Sequence, residues 1–237
     1  MPSARIIPEC LGRLRRASLG GRVGDSAAIL EDHATLATAL LTLHQITGDA
    51  QWLGAAIGLL ATALEHFGDA ARPGHWFDTA DDAEQLLVRP ADPLDGATPS
   101  GASSIAEALL TAAHLVPAPR ADWYAAAAAE SLSAAAPVLA RLPRSGGHWL
   151  AVAGAAVRGP IQIAVATSDF DSSLLRAARK LAPGGAVVVG GAMNSSEPLA
   201  GRDRAGGADA AYVGRGRVCD LPVTTAGDLA SALGAAV

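Results

Sequence analysis

Aromatic residues are scarce in this sequence, at 4% of 237 residues, and cysteine occurs only twice. Half of the residues are nevertheless apolar and 17% are charged, a balance typical of a folded chain rather than a disordered one. Cys10 and Cys219 lie far apart and suggest no disulfide framework, so we expect a cytoplasmic protein. Cys219 also lacks the second thiol that dithiol chemistry requires.

Basic residues are not in excess either. The net charge of −5 argues against nucleic acid as a partner, because phosphate binding needs clustered basic surface. The densest basic run, Arg13, Arg15 and Arg16, is short and is predicted to be solvated. Glu, Asp, His and Gly interrupt the apolar stretches, so we expect no membrane-spanning segment. The beginning of the sequence lacks the pattern of a secretory signal.

Apolar residues with helical spacing begin just after residue 30. They form two stripes, Leu36, Leu40 and Leu43 in the first and Trp52 through Phe67 in the second. Between the stripes, Gly48-Asp49 combines a helix stop with a helix N-cap. The spacing predicts an antiparallel helical hairpin over residues 31–67 that turns at Gly48.

A second pair of helices is predicted after a break rich in proline and glycine over residues 68–99. The third helix follows Ser100. The fourth is capped by Asp122 and is expected to bend or end at Pro137. A short fifth helix is predicted to begin at Gly146.

The pattern changes near residue 158. Apolar runs at 161–166 and 186–189 flank a helical segment at 171–181, which predicts a βαβ unit, followed by a weak strand at 210–213 and a helix at 225–233. The predicted fold is therefore mainly α. It has an irregular segment at 1–30, a helical-hairpin domain at 31–158 and a small α/β segment at 159–237.

Residues 75–103 carry side chains suited to binding and catalysis. Trp76 stands beside Asp78, Asp81 and Asp82. Because an indole face stacks on a sugar ring and carboxylates accept hydrogen bonds from hydroxyls, this combination indicates a carbohydrate site. The three aspartates are candidates for the acid, base or nucleophile of glycosyl chemistry. The alternative is a structured loop whose aspartates cap backbone amides and turns.

Four further residues are candidates for ligand contact. Arg89 either orders the loop through ion pairs or binds a carboxylate or phosphate. Asp95 and Ser100 lie in turns that enter a helix, where they either cap it or leave amides for an anion. His33 follows two acidic residues and is a candidate pocket residue. No cluster has metal-ligand spacing and no glycine motif matches a nucleotide loop, so we expect neither a metal nor a cofactor.

Several strings of residues together resemble one family. They are Asp32-His33-Ala34, Thr47-Gly48-Asp49, Trp76-Phe77-Asp78-Thr79, Val88-Arg89-Pro90, Asp95-Gly96-Ala97-Thr98-Pro99-Ser100-Gly101, Ala211-Tyr212-Val213 and Pro222-Val223-Thr224. From about residue 30 onward the chain is similar to the thioredoxin-domain-containing proteins related to spermatogenesis-associated protein 20. The helical part of that family resembles six-hairpin glycosidases and N-acylglucosamine 2-epimerases. The resemblance implies αα-hairpins of a partial (α/α) toroid.

The resemblance also implies missing parts and altered residues. The family's thioredoxin domain and early hairpins would be absent from this chain. His33, His75, Ala102 and Gly214 stand where the family usually has Tyr, Gly, Asn and Cys. The loss of Asn removes a hydrogen-bond donor and an acceptor from the expected cleft, and the loss of Cys removes any dithiol chemistry.

Two functions stay open at this point. The first is a six-hairpin glycosidase-like fragment that binds or processes carbohydrate through the 75–103 loop, which is predicted to cross one end of the helical layer. The alternative is a non-catalytic truncated remnant with a structural or interaction role, so the residues do not decide whether the chain is an enzyme. In either case the wide apolar hairpin faces predict self-association or a partner chain that supplies the missing hairpins.

Overall fold

The computed structural model describes residues 13–159, 161–215 and 218–234, and it is mainly α-helical with a small α/β part. The helices are α1 (Leu30–Thr47), α2 (Ala50–His66), α3 (Gly101–Ala112), α4 (Arg120–Arg141), α5 (Gly147–Val157), α6 (Ser173–Leu181) and α7 (Ala226–Leu233). The strands are β1 (Ser18–Leu19), β2 (Arg22–Val23), β3 (Ile161–Ala166), β4 (Val187–Gly191), β5 (Ala210–Arg215) and β6 (Val218–Cys219). None of the helices in these ranges is long and apolar enough to cross a membrane.

Helices α1 and α2 form the hairpin that the two apolar stripes predict. Gly48 ends α1 with a φ of 71°, in the left-handed region that glycine tolerates. The Asp49 carboxylate then accepts a hydrogen bond of 2.9 Å from the Gln51 backbone and caps α2. The prediction of an antiparallel hairpin that turns at Gly48 is confirmed.

Helices α1 and α3 lie side by side with their N-terminal ends together. A Cβ atom on Gly101 would lie 3.0 Å from the Glu31 backbone nitrogen, so a side chain at this position would press the two helices apart. Towards the other ends, the Gln45 side chain contacts β4 and the Gln162 side chain of β3 contacts His114. The two helices are therefore parallel, and α2 and α4 run antiparallel to them. A closed toroid stays a prediction.

Alanine and leucine fill the core between α1 and α3. Its fully buried members include Ala34, Ala37, Leu41, Ile105, Ala106, Ala108 and Leu109. Each buried leucine or isoleucine contributes about 1.5–3 kcal/mol relative to exposure. The small alanine side chains bring the helix axes close together, which is how a chain poor in aromatic residues fills its core.

The four-stranded sheet has the order β4-β3-β5-β6. Strand β3 pairs in parallel with β4 through the α6 crossover, and in antiparallel fashion with β5. One face, with Ala164, Val187 and Val189, belongs to the same core cluster as the helices. The other face packs against α6 and α7. The βαβ prediction is confirmed, with β4 starting at Val187 and β5 extending to Arg215.

The segment before α1 differs from the prediction. Within the expected irregular region 1–30, strands β1 and β2 form a small antiparallel hairpin around Gly20-Gly21. Both glycines have positive φ, at 58° and 78°, which a two-residue hairpin turn requires. The two-residue strands are too short to show an alternating pattern in the sequence. Residues 1–12 lie outside the described ranges.

Helix α4 also departs from the prediction, at its N-terminal end. At the other end it continues past Pro137 to Arg141, so the proline does not end the helix, and a bend at this position stays a prediction. Its N-cap is Pro119, and Asp122 lies within the first turn. A carboxylate there favours the positive end of the helix dipole without making a capping hydrogen bond.

Candidate functional site

The loop between α2 and α3 crosses the end of the helical layer at which α1 and α3 begin. The Asp78 carbonyl accepts a hydrogen bond of 3.0 Å from the Leu30 backbone at the start of α1. The Asp95 carboxylate accepts one of 2.9 Å from the Ser100 backbone at the start of α3. Both halves of the loop therefore border the same end of the layer, as predicted.

Trp76 anchors the first half of this loop. Its indole is 8% exposed and donates from Nε1 to the Ser131 hydroxyl of α4 at 2.9 Å. Gly74 lets the backbone reach α4, because a Cβ atom there would lie 2.2 Å from the Glu130 carbonyl oxygen. The ring predicted to stack on a sugar is thus packed in the core, and we leave it out of the ligand surface proposed below.

Asp95 and Ser100 organise the second half of the loop. The Asp95 carboxylate accepts hydrogen bonds from Ser100, Ser103, His148 and Trp149, at 2.7–3.3 Å. Burial opposes ionisation of this carboxyl, but the four donors hold its pKa below the ordinary value. The buried Ser100 hydroxyl accepts from the Ser103 backbone at 3.1 Å and caps α3. Both side chains therefore have helix-capping contacts.

Arg89 fixes the centre of the loop. Its Nη2 donates to the carbonyls of His66 and Thr79, at 3.1 and 2.5 Å. The guanidinium also lies 3.9 Å from the centroid of the Phe77 ring, a cation–π contact. Of the two roles open to Arg89, ordering of the loop is visible here, through backbone carbonyls and an aromatic ring rather than through ion pairs.

Asp78 is the half-buried carboxyl of the loop. Its Oδ2 accepts from the Asp92 backbone at 3.2 Å. Burial raises its pKa, and the nearby charges of Asp92 and Glu31 add to the increase. A carboxyl with a raised pKa can keep its proton closer to neutral pH, which is the property of a general acid.

Asp81 and Asp82 are exposed and lie beside His66, the last residue of α2. His66 Nδ1 is 2.8 Å from the Asp81 carboxylate, and this hydrogen bond lowers the pKa of Asp81. Asp82 is paired with Arg13. One ligand atom from each of His66, Asp81 and Asp82 lies within 4.8 Å of the other two. We call these three residues the His66 corner.

Sequence spacing gives no sign of the His66 corner, because His66 and Asp81 are 15 residues apart. The fold joins them through the Asp81 backbone, which donates to the His66 carbonyl at 3.0 Å. The available signal was a histidine in the last turn of a helix followed by a loop rich in aspartate. It places an imidazole and carboxylates in the same region but does not pair them.

His33 lies beneath the surface of the site. It is 2% exposed, its Nδ1 is 3.0 Å from the Ile29 carbonyl, and its ring centroid is 5.1 Å from that of Phe67. Its buried Nε2 has no hydrogen-bond partner within the described part of the chain. Burial lowers the pKa of His33. The side chain therefore packs under the loop and does not face an open pocket.

Comparison with known proteins shows a partial relation. No family model matches the chain. Over 106 residues it is 35% identical to spermatogenesis-associated protein 20 of Mus musculus, in a match that covers 42% of this chain and 13% of that protein. The chain thus spans a small part of its relative. The match supports a weak relation to that protein, while the thioredoxin-domain family and its toroid stay predictions.

Proposed function

We propose that this chain binds a polyhydroxylated ligand of the carbohydrate class on the loop surface formed by Asp78, Asp81 and Asp82. The observation that carries the proposal is their common placement: all three lie on one loop, fixed across the end where α1 and α3 begin. The resemblance to six-hairpin glycosidase-like toroids supports the same end of the helices as the ligand-binding end.

Rigidity of the loop supports the proposal. Trp76, Arg89 and Asp95 hold it at its start, centre and end, through contacts with α4, the end of α2, and the starts of α3 and α5. Carboxylates on such a frame are oriented before a ligand arrives, which lowers the entropy lost on binding. Ionised carboxylates accept hydrogen bonds from neighbouring hydroxyls, and charge makes those bonds stronger than neutral ones.

Asp78 is the residue we assign to acid–base chemistry, should the bound ligand react. Glycosyl transfer needs a protonated carboxyl on one side of the bond and a second carboxylate on the other. Burial gives Asp78 the raised pKa of the first role. Asp92 and Glu31 are close enough to affect its pKa and are the candidates for the second role.

The alternative function, a structural or interaction module, is favoured by a different observation. Trp76, Asp95 and Ser100 all have their polar groups engaged in internal hydrogen bonds. The loop also exposes Leu87 and Val88, at 106% and 81% of their reference areas, and exposed apolar residues of this kind are typical of contact surfaces. Self-association without sugar binding, measured by light scattering at rising concentration, would favour this alternative.

The test of the carbohydrate proposal is a saturation-transfer NMR screen of neutral mono- and disaccharides on the full chain. For a sugar that binds, we expect Asp78→Asn to weaken affinity about tenfold, the loss of one hydrogen bond of roughly 1.5 kcal/mol. Asp122→Asn is the matched control, because Asp122 is exposed in the first turn of α4. A screen without a ligand, or equal affinity for wild type and Asp78→Asn, contradicts the proposal.

A further inference from the structure

We propose that the His66 corner binds a divalent transition-metal ion, with Zn²⁺ preferred over Mg²⁺. One ligand atom from each of its three side chains lies within 4.8 Å of the others. The set combines an imidazole nitrogen with two carboxylate oxygens, donors that zinc accepts together, whereas Mg²⁺ selects oxygen ligands in near-octahedral geometry. This site is separate from the acid–base role of Asp78.

The distance between the first two candidate ligand atoms is near the value that a metal ion imposes. Bonds of about 2.0–2.2 Å from metal to nitrogen and oxygen place neighbouring ligand atoms roughly 3–3.5 Å apart. His66 Nδ1 and Asp81 Oδ1 are 2.8 Å apart. The Asp82 side chain is 55% exposed. Its carboxylate can therefore change rotamer at small cost and approach the other two ligand atoms.

The backbone under the corner is fixed. Asp81 and Arg89 both donate to the His66 carbonyl, from the Asp81 amide at 3.0 Å and from Arg89 Nη2 at 3.1 Å. These bonds join the end of α2 to the loop. The imidazole and the Asp81 carboxylate are therefore held beside each other by backbone contacts that do not involve a ligand, as a preorganised site requires.

A positive group from a distant segment already contacts the corner. The Arg13 guanidinium donates to the Asp82 carboxylate across 69 positions of sequence. This ion pair engages Asp82 alone, and His66 and Asp81 are paired with each other. Because a guanidinium has no lone pair to offer a metal, Arg13 competes with the ion for Asp82. Removal of its charge should therefore strengthen metal binding.

Three protein ligands fit a metal site of the open kind. Zinc sites with three protein ligands keep a further position for water or a ligand oxygen. The order of affinities among divalent metals places Zn²⁺ above Mn²⁺ for a given set of nitrogen and oxygen ligands. Because both aspartates are exposed, the further coordination position of the metal would face solvent.

Isothermal titration of the full chain with Zn²⁺ and with Mg²⁺, in the absence of sugar, tests the proposal. We expect one Zn²⁺ per chain and weak or no binding of Mg²⁺. Asp81→Asn and His66→Gln should each weaken Zn²⁺ binding by at least about tenfold, and Arg13→Gln should strengthen it. His75→Gln and Asp122→Asn are the matched controls, an exposed histidine and an exposed aspartate outside the corner, and should bind as wild type does.

Circular dichroism of each variant establishes that it is folded before titration. Absence of stoichiometric Zn²⁺ binding by the wild type overturns the proposal, as does binding that survives both Asp81→Asn and His66→Gln. Because Zn²⁺ alone is the probe, failure here leaves sugar binding at Asp78 untouched. A negative sugar screen likewise leaves the metal result standing.

Discussion

Asp95 connects two helices through one carboxylate, which accepts from the first turn of α3 and from the His148 and Trp149 amides at the start of α5. Asp95→Ala leaves these donors without their partner. We expect it to lower the free energy of unfolding by about 3 kcal/mol, the sum of a lost cap and further charged hydrogen bonds. Urea unfolding measures the change. Asp122→Ala, in a first turn without a capping hydrogen bond, should lower the free energy of unfolding by less than about 1 kcal/mol. An equal effect of the two substitutions would contradict the role of Asp95 as the link between α3 and α5.

His33 should make stability depend on pH. Burial in the folded chain lowers its pKa below the ordinary value of 6.5. Around and below this pH, the unfolded chain therefore binds more protons than the folded chain does. The stability that depends on neutral His33 is therefore fully present above the pKa of the unfolded chain. It is lost as the pH falls from that value through the lower pKa of the folded chain. His33→Phe should lose less stability than wild type between pH values of about 8 and 5.5 in urea titrations.

The variant keeps part of this pH dependence, because burial also lowers the pKa of His114. Equal losses in wild type and His33→Phe would show that His33 titrates alike in the folded and unfolded chains.

Individual residues of the site were only partly predictable. Asp78, Asp81 and Asp82 stand out because loop carboxylates beside aromatic residues have a recognisable composition. Their environments do not follow from composition: the raised pKa of Asp78 depends on burial, and the pairing of Asp81 with His66 depends on how the loop returns to α2. Trp76 fits a sugar platform and a core anchor equally well in sequence, and only the position of α4 decides between them.

Among the elements, the loop from α2 to α3 depends on one close backbone contact. Gly74 has a φ of 79°, and an added Cβ would lie 2.2 Å from the Glu130 carbonyl. We expect Gly74→Ala to destabilise the chain by about 2 kcal/mol or more, through backbone strain and displacement of the loop from α4. Urea unfolding and near-ultraviolet circular dichroism, which reports the packing of Trp76, measure the effect.

Gly96→Ala is the control within the same loop, since a Cβ there meets no atom within 4 Å and its φ is ordinary. It should change stability by less than about 0.5 kcal/mol. A Gly74→Ala chain as stable as this control would mean that the loop is not held against α4.

Helices and strands with periodic apolar faces were the predictable elements. The α1–α2 hairpin and the βαβ unit follow from spacing, stop signals and caps. The β1–β2 hairpin does not follow from these signals, because strands of two residues are too short to show an alternating pattern. The continuation of α4 past Pro137 is compatible with the bend expected there, because Ala135 before the proline and Leu139 after it both pack against the core.

For the whole molecule, the helices and the sheet share one core. Ala164, Val187 and Val189 from the sheet lie in the same cluster as Leu41 and Leu109. The boundary predicted near residue 158 follows a change of secondary structure, and it stays a prediction as a domain boundary. Helices α1 and α3 run parallel and begin at the same end of the helical layer. The carbohydrate proposal depends on the loop that crosses this end.

The most direct test of the proposed site is NMR of the ¹⁵N-labelled chain during titration with the neutral sugars of the screen. We expect the largest amide shifts at Asp78, Asp81, Asp82 and Asp92, with little change in the sheet. Shifts confined to the sheet or to the exposed face of α4, or no shifts at high sugar concentration, would contradict a carbohydrate site on this loop.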